Sequence, residues 1–326
     1  MRSRSAALLL VFAASAARAA FDSDSVGTSA AEFLKFGADA RGAAMGQAMT
    51  AAAEGASSLY WNPAGLSRVP ALEVSFSHAF LYRTVFSDFA VIAQPLRPIV
   101  PPRRRETRPS GRGTIAAGLL YLNAGEIKER DNQGMETGGA FTPRDLAFIA
   151  GWGATVSDVL DLGVALKYID SRIQSSARAA AGDAGLRLRM SMGRCPYVLA
   201  LSGHNWGGPM RFRQQEDPLP ASIRVGQTLR PVKQFLLSMD LVAPRDHKIY
   251  PAFGGELTLP LAEERESASL RFGWSGRTSS SDLDGMAGVS FGGGFMHEGF
   301  FADYAWVPFG ALGMSHRFTL GYAFEP

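Results

Sequence analysis

The sequence predicts an all-β protein, a transmembrane antiparallel β-barrel of about fourteen strands with an N-terminal segment held inside its lumen. Three observations carry this expectation: an export signal at the start, long apolar/polar alternation from residue 71 onward, and a stretch between them that obeys neither a helical nor a strand period. Composition agrees. The 326 residues are 46% hydrophobic and 19% charged, which marks a folded chain, and its 36 glycines and 21 phenylalanines suit β structure. A net charge of +3, spread along the chain without an interleaved aromatic motif, gives no reason to expect a nucleic-acid partner, and the run Arg103–Arg105 reads as a solvated loop.

Residues 1–19 have the layout of a secretory signal: Arg2 and Arg4, then the apolar run 6–14, then Ala17-Arg18-Ala19 as a small-x-small cleavage site. That apolar run is well short of the roughly 20 residues a spanning helix needs. No later run reaches that length, so membrane residence requires a closed sheet, in which every backbone polar group is paired.

Residues 20–70 form the second unit. The stretch "AAEFLKFGADARGAAMGQAMTAAAEGASSLYWNPAGL" is rich in Ala, Gly and Met and suits short helices and close turns. It is too polar to span a bilayer and too apolar for a free tail, so it needs enclosure. The barrel lumen supplies it, making this segment a hatch. Asn62-Pro63 sets a turn, Tyr60 and Trp61 are expected to anchor it to the inner wall, and Gly65 to let the chain swing into the first strand.

From 71 to 326 the chain is expected to be barrel. "LEVSFSHAFLY" places Leu72, Val74, Phe76, Phe80 and Tyr82 on one face; "DLGVALKY" places Leu162, Val164, Leu166 and Tyr168 on one; the last segment does the same with Phe318, Leu320, Tyr322 and Phe324. A soluble sandwich gives similar alternation. These runs, however, are about 9–11 residues long, as a tilted spanning strand requires, and Tyr82, Tyr121, Tyr168, Trp206, Trp274, Trp306 and Phe324 recur at their ends, where an interfacial girdle belongs. Fourteen segments are counted: 71–82, 85–95, 113–123, 144–157, 160–174, 183–191, 196–206, 219–230, 233–243, 249–259, 267–275, 284–293, 297–306 and 314–324. With both ends periplasmic, alternate connections are short, except the basic, Pro-rich 96–112.

The polar faces carry Glu73, Lys167, Arg224, Asp240, Glu256, Arg271, Asp303 and Arg317, read as lumen charges that pair and hold the hatch, because charges in a narrow barrel must pair or hydrate. The other inward positions are small, so no apolar pocket is expected. No catalytic residue, metal or cofactor is expected. Five scattered histidines and the lone Cys195 give no ligand spacing. "GVSFG" (288–292) matches a nucleophile elbow, but Ser290 sits inside an alternating strand and lacks the strand-turn-helix setting.

The residues Gly37, Ala40-Arg41-Gly42, Met45-Gly46, Ala48 and Leu59-Tyr60-Trp61-Asn62-Pro63-Ala64-Gly65-Leu66, with "DPLPASIRVG" (217–226), "LSMDLVAPRD" (237–246) and "FADYAWVPFGALGMSHRFTLGYAF" (301–324), resemble the PorV/PorQ group of outer-membrane proteins, a branch of the FadL-like fourteen-stranded barrels. The resemblance implies that Arg41, Gly42, Met45, Gly46 and the 60–65 turn belong to the hatch. It also implies a non-enzymatic role in binding and shuttling secreted client proteins with type IX-like secretion machinery. Taken through the FadL side, it implies instead a transporter of hydrophobic small molecules. An enzymatic reading lacks a recognisable triad. One departure stands out: Glu325-Pro326 follows Phe324, where such barrels end on an aromatic.

Overall fold

The computed structural model describes residues 28–96, 112–212, 215–261, 266–277, 286–310 and 313–324. The expected signal and its cleavage site lie outside the described residues, as do 97–111 of the basic loop.

Among the described residues, eighteen strands run in chain order. β1 (Glu73–Tyr82) and β2 (Val85–Pro95) are followed by β3 (Thr114–Asn123) and a small hairpin of β4 (Ile127–Arg130) and β5 (Glu136–Phe141). Then come β6 (Arg144–Ser157), β7 (Leu160–Arg172), β8 (Ser176–Met192), β9 (Cys195–Gly207) and a second hairpin of β10 (Met210–Phe212) and β11 (Gln215–Asp217). The rest are β12 (Ser222–Val232), β13 (Phe235–Pro244), β14 (Tyr250–Pro260), β15 (Glu266–Ser275), β16 (Val289–His297), β17 (Phe300–Pro308) and β18 (Met314–Ala323). Apart from the two hairpins, fourteen strands form one closed antiparallel barrel, in which β1 pairs β2 on one side and β18 on the other, from Glu73↔Ala323 to Phe80↔His316. Closure leaves no sheet edge, which is what a strand-built structure in hydrocarbon requires.

The period of two decides which side chain meets which medium. Phe76, Phe80, Phe148, Leu166, Tyr168, Leu270, Phe318 and Leu320 point outward and are 45–73% exposed, while Ser77, Ala79, Lys167, Arg271, Arg317 and Thr319 on the same strands point inward and are buried. Large apolar side chains outside and polar ones within is the inverse of a soluble fold and the pattern of an outer-membrane barrel. One end carries the two-residue turns 158–159, 193–194, 233–234 and 298–299 together with the long connection from β2 to β3; the other carries the remaining longer loops, both small hairpins and the short turn 83–84.

All fourteen expected segments are barrel strands, with shifts at four. The segment expected at 183–191 begins at Ser176, because "SARAAAG" has alanines on both faces and shows no contrast to read. The segments expected at 284–293 and 297–306 lie at Val289–His297 and Phe300–Pro308, displaced because Gly292-Gly293-Gly294 blanks the alternation at the centre of β16. The one expected at 219–230 starts at Ser222, since Pro218 and Pro220 keep the preceding residues out of the ladder.

Candidate functional site

Residues 28–72 run through the lumen from the long-loop end. They form a 3-10 turn (Glu32–Lys35), a short helix (Ala40–Ala44), another (Ser58–Trp61) and a second 3-10 turn (Pro63–Arg68). None is long enough to be stable alone. Each is held by the wall.

At the long-loop end, Ala30 N–H donates to the Pro218 carbonyl (2.9 Å) and Lys35 Nζ reaches Asp246 Oδ2 and Glu32 Oε2, both at 2.6 Å. Arg277 donates to the Lys35 carbonyl (2.6 Å) and lies over the Phe36 ring. Burial alone would raise the Asp246 carboxyl, but hydrogen bonds from Glu32 and Lys35 outweigh it and hold it below its ordinary value.

In the middle, Arg317 donates to the carbonyls of Gly37 (2.5 Å) and Phe36 (3.0 Å), and Ala40 N–H to Thr319 Oγ1 (2.8 Å). Asp240 accepts from both Thr50 N–H (2.9 Å) and Thr50 Oγ1 (2.7 Å), Ser238 donates to the Ala48 carbonyl, and Arg187 to the Ala51 carbonyl. Ser290, the residue of the elbow-like "GVSFG", donates to the Ala44 carbonyl (2.9 Å) and accepts from Gly46 N–H (3.1 Å). Its hydroxyl is therefore a tie between wall and segment.

Toward the short-turn end an ion network crosses from segment to wall. Arg41 binds Glu256 through two parallel bonds of 2.7 and 2.9 Å, Glu256 also accepts from Arg271 Nε (2.7 Å), and Arg271 Nη1 reaches Asp303 (2.5 Å). Glu73 accepts from Ala56 N–H (2.8 Å). These side chains border a cavity of about 330 Å³ that also touches Asp39, Glu54 and Arg230.

The eight inward charges thus all meet the N-terminal segment or its neighbours. Lys167 and Arg224 do so through rings, lying 5.9 Å from the centroids of Tyr60 and Trp61. The polar ends of those aromatics turn back into the segment: Tyr60 OH donates to the Leu34 carbonyl (2.8 Å) and accepts from Gly37 N–H (3.0 Å), and Trp61 Nε1 donates to Asp39 (3.3 Å), which caps the helix at Gly42 N–H. The wall receives the ring faces, with Phe89 edge-on to Tyr60.

Asn62 is fully buried; its Nδ2 donates to the Thr50 carbonyl (2.7 Å) and its Oδ1 accepts from Ala64 N–H (3.1 Å). Pro63 then opens the 3-10 turn at the position where its missing N–H costs nothing. This turn beds on three glycines that pair across β6, β7 and β8, Gly153↔Gly163↔Gly185. A Cβ at Gly153 or Gly163 would overlap the Pro63 backbone, and one at Gly185 would overlap the Asn62 amide oxygen. A second platform, Gly254↔Gly273, admits Met45 and Gly46 in the same way. Gly65 serves close approach to Ala53 and Ser58 rather than a swing into β1.

Sequence reasoning overlooked three features. One is the buried cluster on β7–β9, where Asp183 binds Lys167 (2.7 Å) and His204 (3.2 Å), and His204 bonds Ser202 (2.8 Å) at a bulge opposite Asp183. The order serine, histidine, carboxylate is that of a nucleophile set, but all three are buried and Lys167 neutralises the carboxylate, so the cluster is a structural tie. Another is the glycine rows, whose signal was glycine recurring at inward positions. The third corrects the expectation of an inner face that is only small or charged. Leu81, Phe89, Val91, Leu120, Leu122, Ile149 and Ile169 face inward, forming with Phe33, Leu34, Leu59, Met210 and Leu219 one apolar core along the β1–β3, β6 and β7 side. Runs such as "AVIA" and "GLLYL", apolar on both faces, are its sequence trace.

Among the described residues no three metal-ligating side chains converge. No protein-family model matches the chain. No curated protein matches it either. Its fold is shared with solved transporter and channel proteins. The Pseudomonas putida toluene transporter TodX aligns with a TM-score of 0.55 at 10% identity over 87% of this chain and 96% of that one. The monoaromatic hydrocarbon channel CymD aligns at 0.55 and 10% over 89% and 98%. A TodX deletion variant, deltaS2S3, aligns at 0.57 and 11% over 88% and 99%. At such identities the likeness is one of fold.

Proposed function

We propose that this protein is an outer-membrane channel for hydrophobic small molecules, with residues 20–70 as its hatch, 71–326 as its barrel and 1–19 as an export signal. The single observation that supports it best is the apolar lane on one side of the lumen. Leu81, Leu120, Leu122, Ile149 and Ile169 lead inward from Phe33, Leu34, Met210 and Leu219 at the long-loop end, which by the usual asymmetry of loops is extracellular. A lumen that served only to clasp a plug would be satisfied by polar ties like those of the opposite wall. An apolar lane suits a ligand that leaves water readily. The neighbours in fold that carry hydrocarbons agree with this direction. Passage requires the hatch to yield, since Leu59, Tyr60 and Trp61 now fill the lane. The route then continues past the Arg41–Glu256–Arg271 network into the charged cavity. No step involves bond chemistry.

The hatch motif favours a second reading, in which a PorV-like barrel holds secreted client proteins. One experiment separates the two. Full-length protein extracted from outer membrane in mild detergent is analysed by mass spectrometry for small molecules and for proteins. The channel reading expects a bound apolar compound, displaced by added toluene and lost in Leu122→Glu. A stoichiometric secreted protein, with no apolar compound in wild type, overturns it in favour of the shuttle.

A further inference from the structure

Outside the lumen, the rim of β3, β6 and β7 carries a cavity of about 620 Å³, bordered by Tyr121, Arg144, Arg172 and Ile173 and by Glu129 and Phe141 of the small β4–β5 hairpin. The register fixes its place. Arg144 pairs directly with Arg172, and both lie four residues beyond the cross-strand pair Phe148↔Tyr168. Four residues is an even step, so the arginines share the outward face with Phe148 and Tyr168, which are 53% and 45% exposed. At strand rise and barrel tilt the step lifts them about 10 Å above those rings. If the rings mark the edge of the hydrocarbon, the guanidinium groups stand at the level of lipid head groups in the outer leaflet. One row lower, Arg178 is held by Asp170 (2.8 Å), so its charge is matched. Neither Arg144 nor Arg172 makes an ion pair with any described residue, although Glu129 borders the same cavity.

We infer that Arg144 and Arg172 form a seat for the phosphate of an outer-leaflet lipid whose acyl chains lie down the wall over Leu119, Phe148, Leu166 and Tyr168. Two adjacent guanidinium groups, aimed into a recess at the water edge of a lipid-facing surface, match a phosphate that each binds through paired N–H donors. Directly below, Leu166 (73% exposed) and Phe148 offer the apolar surface that the chains of the same molecule would cover. The β4–β5 hairpin contributes Glu129 and Phe141 to the border of the recess. The inference rests on the membrane reading of the barrel, though not on what the lumen carries.

The test uses the full-length protein, with membrane fractionation as its first step. Wild type absent from the outer-membrane fraction overturns the membrane reading and this site with it. Wild type present there is purified in detergent and titrated with diphosphoryl lipid A, its dephosphorylated form, or inorganic phosphate, and bound lipid is counted by native mass spectrometry. The expected result is retention of diphosphoryl lipid A over the dephosphorylated form, falling roughly tenfold or more in Arg144→Gln/Arg172→Gln, as loss of charged hydrogen bonds implies. Arg144→Lys/Arg172→Lys, which keeps charge but loses the fork, is expected to fall between them. Both arginines are exposed, so the variants keep the fold, and unchanged melting of the barrel checks this. Equal lipid retention by wild type and the glutamine variant overturns the seat while leaving the membrane reading intact. Competition by inorganic phosphate at equal molarity overturns the lipid assignment in favour of a free anion.

Discussion

Replacing Asn62 by Ala tests the hatch at its most buried polar contact. Its amide satisfies two backbone groups that have no water to turn to: the Thr50 carbonyl at 2.7 Å and the Ala64 N–H at 3.1 Å. Alanine leaves both unpaired in a fully buried site, at about 1–3 kcal/mol each, together about 2–6 kcal/mol against the seated state. Since each 1.4 kcal/mol is a factor of ten, the unseated population rises roughly thirtyfold to twenty-thousandfold. The barrel itself does not depend on this residue, because its strands pair with one another and not with Asn62. The assay is leakage of a small polar solute from liposomes at matched protein density, with single-channel conductance in planar bilayers beside it. Leakage within twofold of wild type for Asn62→Ala, in protein that still migrates as an intact barrel, would refute the reasoning.

Gly163→Ala drives a methyl against the Pro63 backbone, which cannot rotate away; overpacking of this kind costs about 1–3 kcal/mol and raises leakage, whereas Gly182→Ala, with ordinary clearance around its Cβ, leaves it unchanged. Glu256→Gln leaves the mostly buried Arg41 without its carboxylate and Arg271 with Asp303 alone, a loss of up to about 3–5 kcal/mol, and adding Arg41→Gln recovers part of it in a double-mutant cycle of thermal unfolding. At the outer end, the Asp246 carboxyl is held below its ordinary 3.8, so its contribution is complete above that value and disappears as pH falls through the lower folded value. Protection of the Ala30 amide, bonded to Pro218 and taken relative to its intrinsic exchange rate at each pH, therefore falls in acid, and Asp246→Asn lowers it near neutral pH; equal protection in the variant and wild type there refutes the latch.

The barrel was legible because lipid and lumen impose opposite demands on alternate residues, and β7 answers them from Leu160 through Tyr168. Where the side chains lose that contrast, so does the reading. The alanines of Ser176–Gly182 hid the first seven residues of β8, and the Asp183–Lys167–His204 cluster, spread over three strands and set by a bulge at Asp183, left no trace in the alternation. The inward charges could be found by counting parity from Phe or Leu neighbours. Their partners could not, since Arg41 lies 215 residues from Glu256 and Arg317 lies 280 from Gly37. The apolar lane was missed for a related reason: on β2 and β3 both faces are greasy, so parity marks neither as the inner one.

By itself the sequence determined the architecture: its period of two, sustained over spanning-length segments, dictates a closed sheet with its large apolar side chains outside, and the break in that period dictates a separate enclosed segment. Only the tertiary structure decided how that segment is held. Ties such as Ser290 to Ala44, or Pro63 on Gly163, are made between residues remote in the chain, at a separation set by barrel closure and strand register, and one-dimensional order carries neither quantity.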